Sequence, residues 1–199
     1  ISLDIYKGES LAIVGESGSG KSVFTKTFMG MLDKNGKVTK GEILYNGMDL
    51  AKFSSEKDWL KIRGKEVAMV FQDPMTSLNP LKTVGKQIQE ALELHQNLHG
   101  RAARERTIEI LSDVGITEPE RRYKQYPHEF SGGMRQRAVI ATAIACNPNI
   151  LICDEPTTAL DVTIQAQIIE LLEQLQKKYR LTIIYITHDL GAVSYTHLT

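Results

Sequence analysis

Four short runs of the chain are apolar or β-branched with almost no polar interruption: Leu11 to Val14, Val67 to Phe71, Ile150 to Cys153 and Thr182 to Thr187. A strand covered on both faces reads this way, whereas a strand with one wet face alternates. The runs therefore predict central strands of a parallel sheet. Between them the period changes. Ile164, Ile168, Leu171, Leu172 and Leu175 recur at helical spacing and predict one amphipathic helix; Val84, Ile88, Ala91 and Leu92 predict a second, and Thr107, Ile110, Leu111 and Val114 a third. Strands alternating with helices predict an α/β sheet. From about Pro74 to Phe130 the chain offers helices and loops with no clear strand, bounded by Pro74, Pro80 and Pro127, and reads as a helical insertion in the α/β core. The sequence contains no internal repeat or low-complexity segment.

Composition narrows the class without choosing a function. The 199 residues suffice for one hydrophobic core and fall short of two. Apolar residues at 42% and charged residues at 24% exclude disordered and fibrous classes. Formal net charge is zero, whereas nucleic-acid binders usually carry a basic surplus, so no nucleic-acid partner is expected. Of the two cysteines, Cys146 and Cys153, the latter lies in an apolar run, which favours a core thiol over a disulfide and suits a reducing compartment. No stretch approaches the roughly 20 uninterrupted apolar residues of a membrane span. The chain opens Ile1-Ser2-Leu3-Asp4, mid-pattern and with neither a start methionine nor a signal peptide, and so reads as a piece of a longer protein.

Chemistry enters at Gly15-Glu16-Ser17-Gly18-Ser19-Gly20-Lys21-Ser22, which matches G-x-x-x-x-G-K-[ST]. Glycines let the backbone turn tightly so that successive N–H groups face phosphate oxygens. The helix that follows adds the positive end of its dipole. Lys21 places a charge on the β and γ phosphates, and Ser22 offers a hydroxyl to Mg²⁺. Gly15, Ser17, Gly18, Ser19, Gly20, Lys21 and Ser22 are the expected phosphate contacts. A chance match is expected in roughly 1% of chains of this size, and the flanking pattern lowers that further: Leu11 to Val14 supplies the preceding strand and Val23 to Met31 the following helix.

A second constellation closes the Ile150 to Cys153 run, where two carboxylates, Asp154 and Glu155, follow directly. Ligands of open α/β sheets bind outside the carboxyl ends of the strands. Asp154 fits a Mg²⁺ ligand, and Glu155, one residue farther, fits a group that orients or deprotonates water. An acid pair at a helix start is the blander alternative. Phe130-Ser131-Gly132-Gly133-Met134-Arg135-Gln136 reads as another helix N-terminus, with Ser131 as cap and two small residues behind it. Taken alone it is compatible with an ordinary capped helix, and His188 with a surface histidine.

Together these strings resemble the ATP-binding domains of ABC transporters. Ser131-Gly132-Gly133 resembles the signature motif, Gln72 the Q-loop glutamine, Ala159-Leu160-Asp161 the D-loop and His188 the switch histidine, in the family's order. The resemblance runs from Lys7-Gly8-Glu9 to about Val193. It sharpens toward the oligopeptide, dipeptide and nickel importers at Phe71 to Pro80, Tyr126-Pro127-His128 and Glu155 to Thr163. It implies a P-loop NTPase (RecA-like) core, about 1–73 and 141–199, with an inserted ABC helical subdomain, about 74–140.

The same resemblance implies roles. ATP and Mg²⁺ are the expected cofactors, with Ser22, Gln72 and Asp154 at the metal and Glu155, His188 and Gln72 catalytic. Two such domains pair head to tail, so Ser131, Gly132, Gly133 and Asp161 serve the composite nucleotide site. The expected partners are a second ABC ATPase subunit, alike or different, transmembrane permease subunits, and indirectly a solute-binding protein. The expected location is peripheral, on the cytoplasmic face of the inner membrane, and the expected activity is ATP hydrolysis coupled to peptide import. An ATP-gated dimerising module with little turnover and a non-transport ABC ATPase are the alternatives. The family's adenine-stacking aromatic is expected upstream of Ile1, Tyr6 being assigned to the strand that enters the phosphate loop. The tail Ser194 to Thr199 does not resemble the family's continuation.

Overall fold

A computed structural model describes residues 2–16, 18–33, 35–158 and 160–188. Ser17, Ala159 and the tail 194–199 lie outside the described residues. Four parallel strands form the sheet: β1 (Ser10–Val14), β4 (Val67–Val70), β5 (Ile150–Asp154) and β6 (Thr182–Thr187), in the order β1-β6-β5-β4. A two-stranded hairpin, β2 (Leu44–Tyr45) and β3 (Met48–Asp49), precedes them in part. The helices are α1 (Lys21–Phe28), α2 (Glu56–Trp59), α3 (Pro74–Ser77), α4 (Val84–Gln96), α5 (Gly100–Asp113), α6 (Pro119–Arg122), α7 (Gly132–Ile144) and α8 (Val162–Tyr179). Among these described elements the stretch from α3 to α7 contains no strand, as the sequence predicts.

The unbroken apolar runs follow from burial on both faces. Successive strand side chains point to opposite sides. Ala68, Val70, Leu151, Cys153, Ile183 and Tyr185 pack with α4, α5, α7 and α8 in one core. Their alternates Val67, Met69, Ile152, Ile184 and Ile186 join Met29, Leu50, Trp59 and Ile62 in the other. Each fully buried isoleucine or leucine of this set contributes about 1.5–3 kcal/mol. The predicted helical stripes hold as well: Ile168, Leu171, Leu172 and Leu175 of α8 are buried, as are Val84, Ile88 and Leu92 of α4. Both cysteines are buried free thiols.

The structure corrects several boundaries. The first helix stops at Phe28 rather than Met31, because Gly30 turns away at φ 58° and lies flat against Trp59, where a Cβ would stand 2.1 Å from the indole. Phe71 leaves its strand and is exposed. Val114 caps α5 instead of lying inside it. Tyr6 is not part of β1: it is 69% exposed and precedes a turn at Gly8, φ 84°. The hairpin β2–β3 was unanticipated, although Asn46-Gly47 signals it. Those residues have φ of 47° and 78°, the pair of positive values that a two-residue type I′ turn requires.

Candidate functional site

Sheet register brings the separate sequence motifs together. Val14 pairs with Thr187, Asp154 with Ile186 and Val70 with Cys153. The residues that follow β1, β4, β5 and β6 therefore leave the sheet at one edge. These are the Gly15 to Ser22 loop, Gln72, Glu155 and His188. Parallel pairing is the reason: antiparallel neighbours would have sent half of them to the opposite edge.

In the loop, Gly18 and Gly20 have φ of 81° and 90°, conformations that side-chain-bearing residues rarely adopt. Gly20 caps α1 and offers no side chain to it, so the N–H groups of the first turn have no side-chain cap. Lys21 Nζ donates to the carbonyl oxygens of Gly15 (2.5 Å) and Glu16 (2.8 Å) and lies 3.4 Å from Ser19 Oγ. Its ammonium thus sits within the curl of the loop, beside the free end of the helix. Anions fit this arrangement on both counts: dipole and donor supply.

Behind the loop, Ser22 Oγ donates to Asp154 Oδ1 at 3.3 Å. Asp154 is only 8% exposed. Burial pushes its carboxyl up, outweighing the Ser22 bond, while neighbouring Glu155 adds to the rise and Lys26 and Lys21 oppose it. A divalent cation at this point would relieve a buried acid in want of positive charge. Among the described residues no group of three or more His, Cys, Asp or Glu side chains could hold a metal. A pair of hard oxygen donors next to a phosphate cradle nevertheless suits Mg²⁺, which usually takes one or two protein oxygens and completes its shell with phosphate and water.

Glu155 is the convergence point. Its Oε1 lies 3.0 Å from His188 Nδ1, and its Oε2 accepts from Gln72 Nε2 (2.9 Å) and Thr158 Oγ1 (3.0 Å). Burial alone would raise its pKa, but the bonds from His188 and Thr158 and the charge of Lys21 hold it below the usual glutamate range. The backbone is unusual too, with φ 47° at a non-glycine residue, fixed by a bond from its N–H to the Ile186 carbonyl at 2.9 Å. Gln72, Glu155 and His188, named separately from sequence, are thus directly bonded. Thr158 and Lys26 were missed. The signal available for Thr158 was its place three residues after the acid in a proline-containing turn.

The remaining expected residues lie at the starts of α7 and α8. Ser131 Oγ accepts from Met134 N–H (3.3 Å) and caps α7; Asp161 Oδ1 accepts from Ile164 N–H (3.0 Å) and caps α8. The two helix starts touch: a Cβ on Gly132 would meet Leu160 at 3.7 Å, and one on Gly133 would meet Ile164 at 3.0 Å. A side chain at Gly133 would therefore press on Ile164 of α8, so the close α7–α8 approach favours glycine there.

Known proteins resemble the chain along most of its length. Residues 1–158 match the family model described as ABC transporter. The oligopeptide transport ATP-binding protein AmiE of Streptococcus pneumoniae is 59% identical over 194 residues, covering 98% of this chain and 55% of that protein. The oligopeptide transport ATP-binding protein OppD of Bacillus subtilis is 58% identical over 195 residues, covering 98% and 54%. The chain spans about half the length of these curated relatives. Among solved structures, a dimeric ATP-binding cassette in a post-hydrolysis state with ADP and Pi has a TM-score of 0.81 at 32% identity, over 96% of this chain and 79% of that one. The cbiO1 protein of Clostridium perfringens, part of an ABC transporter complex, has a TM-score of 0.84 at 32% identity, over 98% and 73%.

Proposed function

The chain belongs to the ABC transporter family of ATP-binding domains, and from that premise we propose that it binds ATP with Mg²⁺ and hydrolyses it to drive peptide import. The observation that carries this reading is Glu155, held on both carboxylate oxygens beside a phosphate-type loop. Gly15, Ser17, Gly18, Ser19, Gly20, Lys21 and Ser22 cradle the phosphates, Lys21 exchanging the carbonyls of Gly15 and Glu16 for phosphate oxygens. Ser22 and Asp154, with Gln72, hold the metal. When bound, Mg²⁺ supplies charge neutralisation on the phosphate oxygens. Glu155, ionised, orients water and takes its proton; His188 and Gln72, bonded to that carboxylate and exposed at strand ends, turn toward nucleotide when it binds and so report its state. Ser131, Gly132, Gly133 and Asp161 face the nucleotide bound by a second, head-to-tail ATPase subunit.

The presence of both Glu155 and His188 favours turnover over a module that merely dimerises on ATP. We read the chain as an α/β core, about 1–73 and 141–199, carrying a helical subdomain, about 74–140, with α7 crossing between them. Among the described residues no helix is long and apolar enough to cross a membrane. From its family we propose that the domain sits peripherally on the cytoplasmic face of the inner membrane, docked on permease subunits and served indirectly by a solute-binding protein. The peptide assignment rests on the relatives named above.

The test is nucleotide binding, oligomeric state and steady-state turnover. Lys21→Ala is expected to abolish Mg²⁺-ATP binding. Glu155→Gln should keep binding, accumulate an ATP-bound dimer and lose turnover about 10²- to 10⁴-fold, the usual contribution of a general base. Binding unaffected by Lys21→Ala, or full turnover in Glu155→Gln, overturns the assignment.

A further inference from the structure

We propose that Thr158 is a positioning residue for Glu155, its hydroxyl holding Oε2 in the orientation from which the carboxylate meets the attacking water. The inference rests on the reading of Glu155 given above and goes one residue beyond it. Three donors hold the carboxylate, and they are not equivalent. Gln72 is exposed, and the His188 side chain is 56% exposed; each stands just past the end of a strand, where bound nucleotide and metal compete for it. Thr158 is half-buried and belongs to the same turn as its acceptor. Its own N–H donates to the Glu155 carbonyl at 3.1 Å, so the two residues are tied twice, once by backbone and once by side chain.

The turn is itself anchored. Gln165 Nε2, on α8, donates to the carbonyls of Thr157 (3.3 Å) and Leu160 (3.1 Å), on either side of Thr158. The other end is held by the bond from Glu155 N–H to Ile186. A β-branched side chain on such a backbone has few rotamers, so the hydroxyl direction is set in advance. When His188 and Gln72 are drawn toward nucleotide, Thr158 is the donor that remains. Without it Oε2 is free to rotate about the last side-chain torsion, which is broad for a glutamate. A displacement of about 1 Å at a reacting group can cost up to about 10²-fold in rate.

Thr158→Val removes the hydroxyl and keeps the branched shape; Thr158→Ser keeps the hydroxyl. Measured on the full chain, Thr158→Val is expected to lower kcat about tenfold with unchanged nucleotide Kd, and Thr158→Ser to recover the rate to within about threefold of the parent. Combined with Glu155→Gln, Thr158→Val should have no further effect on turnover. A readout independent of turnover is the crystal structure with a non-hydrolysable ATP analogue and Mg²⁺, in which Thr158→Val should swing the Glu155 carboxylate by about 1 Å or more while Thr158→Ser leaves it in place. Parental kcat with an unmoved carboxylate in Thr158→Val overturns the proposal, as does a rate loss that Thr158→Ser fails to recover or that comes with weakened binding. If instead Glu155→Gln itself turns over normally, the assignment of Glu155 fails first, and Thr158 is left as a structural cap on its turn.

Discussion

At the scale of the residue, Glu155 shows opposed effects whose balance has a measurable sign. Burial favours the protonated acid, and hydrogen bonds from His188 and Thr158 favour the carboxylate; the second group wins. A base so held is ionised throughout the neutral range, so the acid limb of kcat due to this group is expected below the ordinary glutamate range. His188→Ala removes the largest opposing contribution and leaves burial less opposed. The residual activity of that variant should then fall at higher pH than in the parent, read from kcat across pH 4 to 8. An acid limb that stays where it was, or moves down, contradicts this account of the pair. The acid pair itself was legible in the sequence, since it ends an apolar run in a chain that also carries a phosphate-type loop. The bonds were not, because Gln72 and Glu155 are 83 positions apart and nothing local ties them.

At the scale of the element, two helix starts separate stability from chemistry. Ser131 and Asp161 each accept a backbone N–H three residues on, capping α7 and α8. Loss of such a cap costs about 1 kcal/mol. Asp161→Ala is therefore expected to lower unfolding free energy by about that amount, whereas Asp161→Asn, which retains an acceptor, should leave it within a few tenths. Denaturant midpoints decide this, and equal losses in both variants would show that charge rather than capping holds the end of α8. The Ser131 cap was readable from residue type and position, whereas Asp161 was named for the composite nucleotide site and not as a cap. The contact of Gly133 with Ile164 was not readable, since it arises only when α7 and α8 are laid side by side.

At the scale of the molecule, α5 and α8 are joined through Asp113, which accepts from Lys178 Nζ at 2.6 Å and from the Tyr179 hydroxyl. Burial, reinforced by the Asp113 bond, pushes Tyr179 up to about 12, and burial pushes Tyr185 up as well. A folded pKa above the unfolded value near 10 means stability that is complete below about pH 10 and lost as pH rises through about 12. Urea midpoints should hold steady up to about pH 10 and decline beyond it, and Tyr179→Phe should soften the decline. An equal decline in that variant would assign the alkaline loss elsewhere.

The sequence by itself determined the class of fold, the phosphate loop, the acid pair and the order of the motifs. Each of these is encoded in a contiguous string whose period or residue types obey local rules. The boundaries it misplaced at Tyr6, Phe28 and Val114 lie within two residues of Gly8, Gly30 and Gly115, each with a positive φ, and at Gly30 the indole of Trp59 takes the space a side chain would need. Only the tertiary structure decided that Gln72, Glu155 and His188 form one bonded group, that Thr158 joins them, and that Lys21 rests on its own loop. The physical reason is parallel register. Four strands running the same way carry their loops to one edge, and hydrogen bonds between those loops depend on distances that no single segment contains.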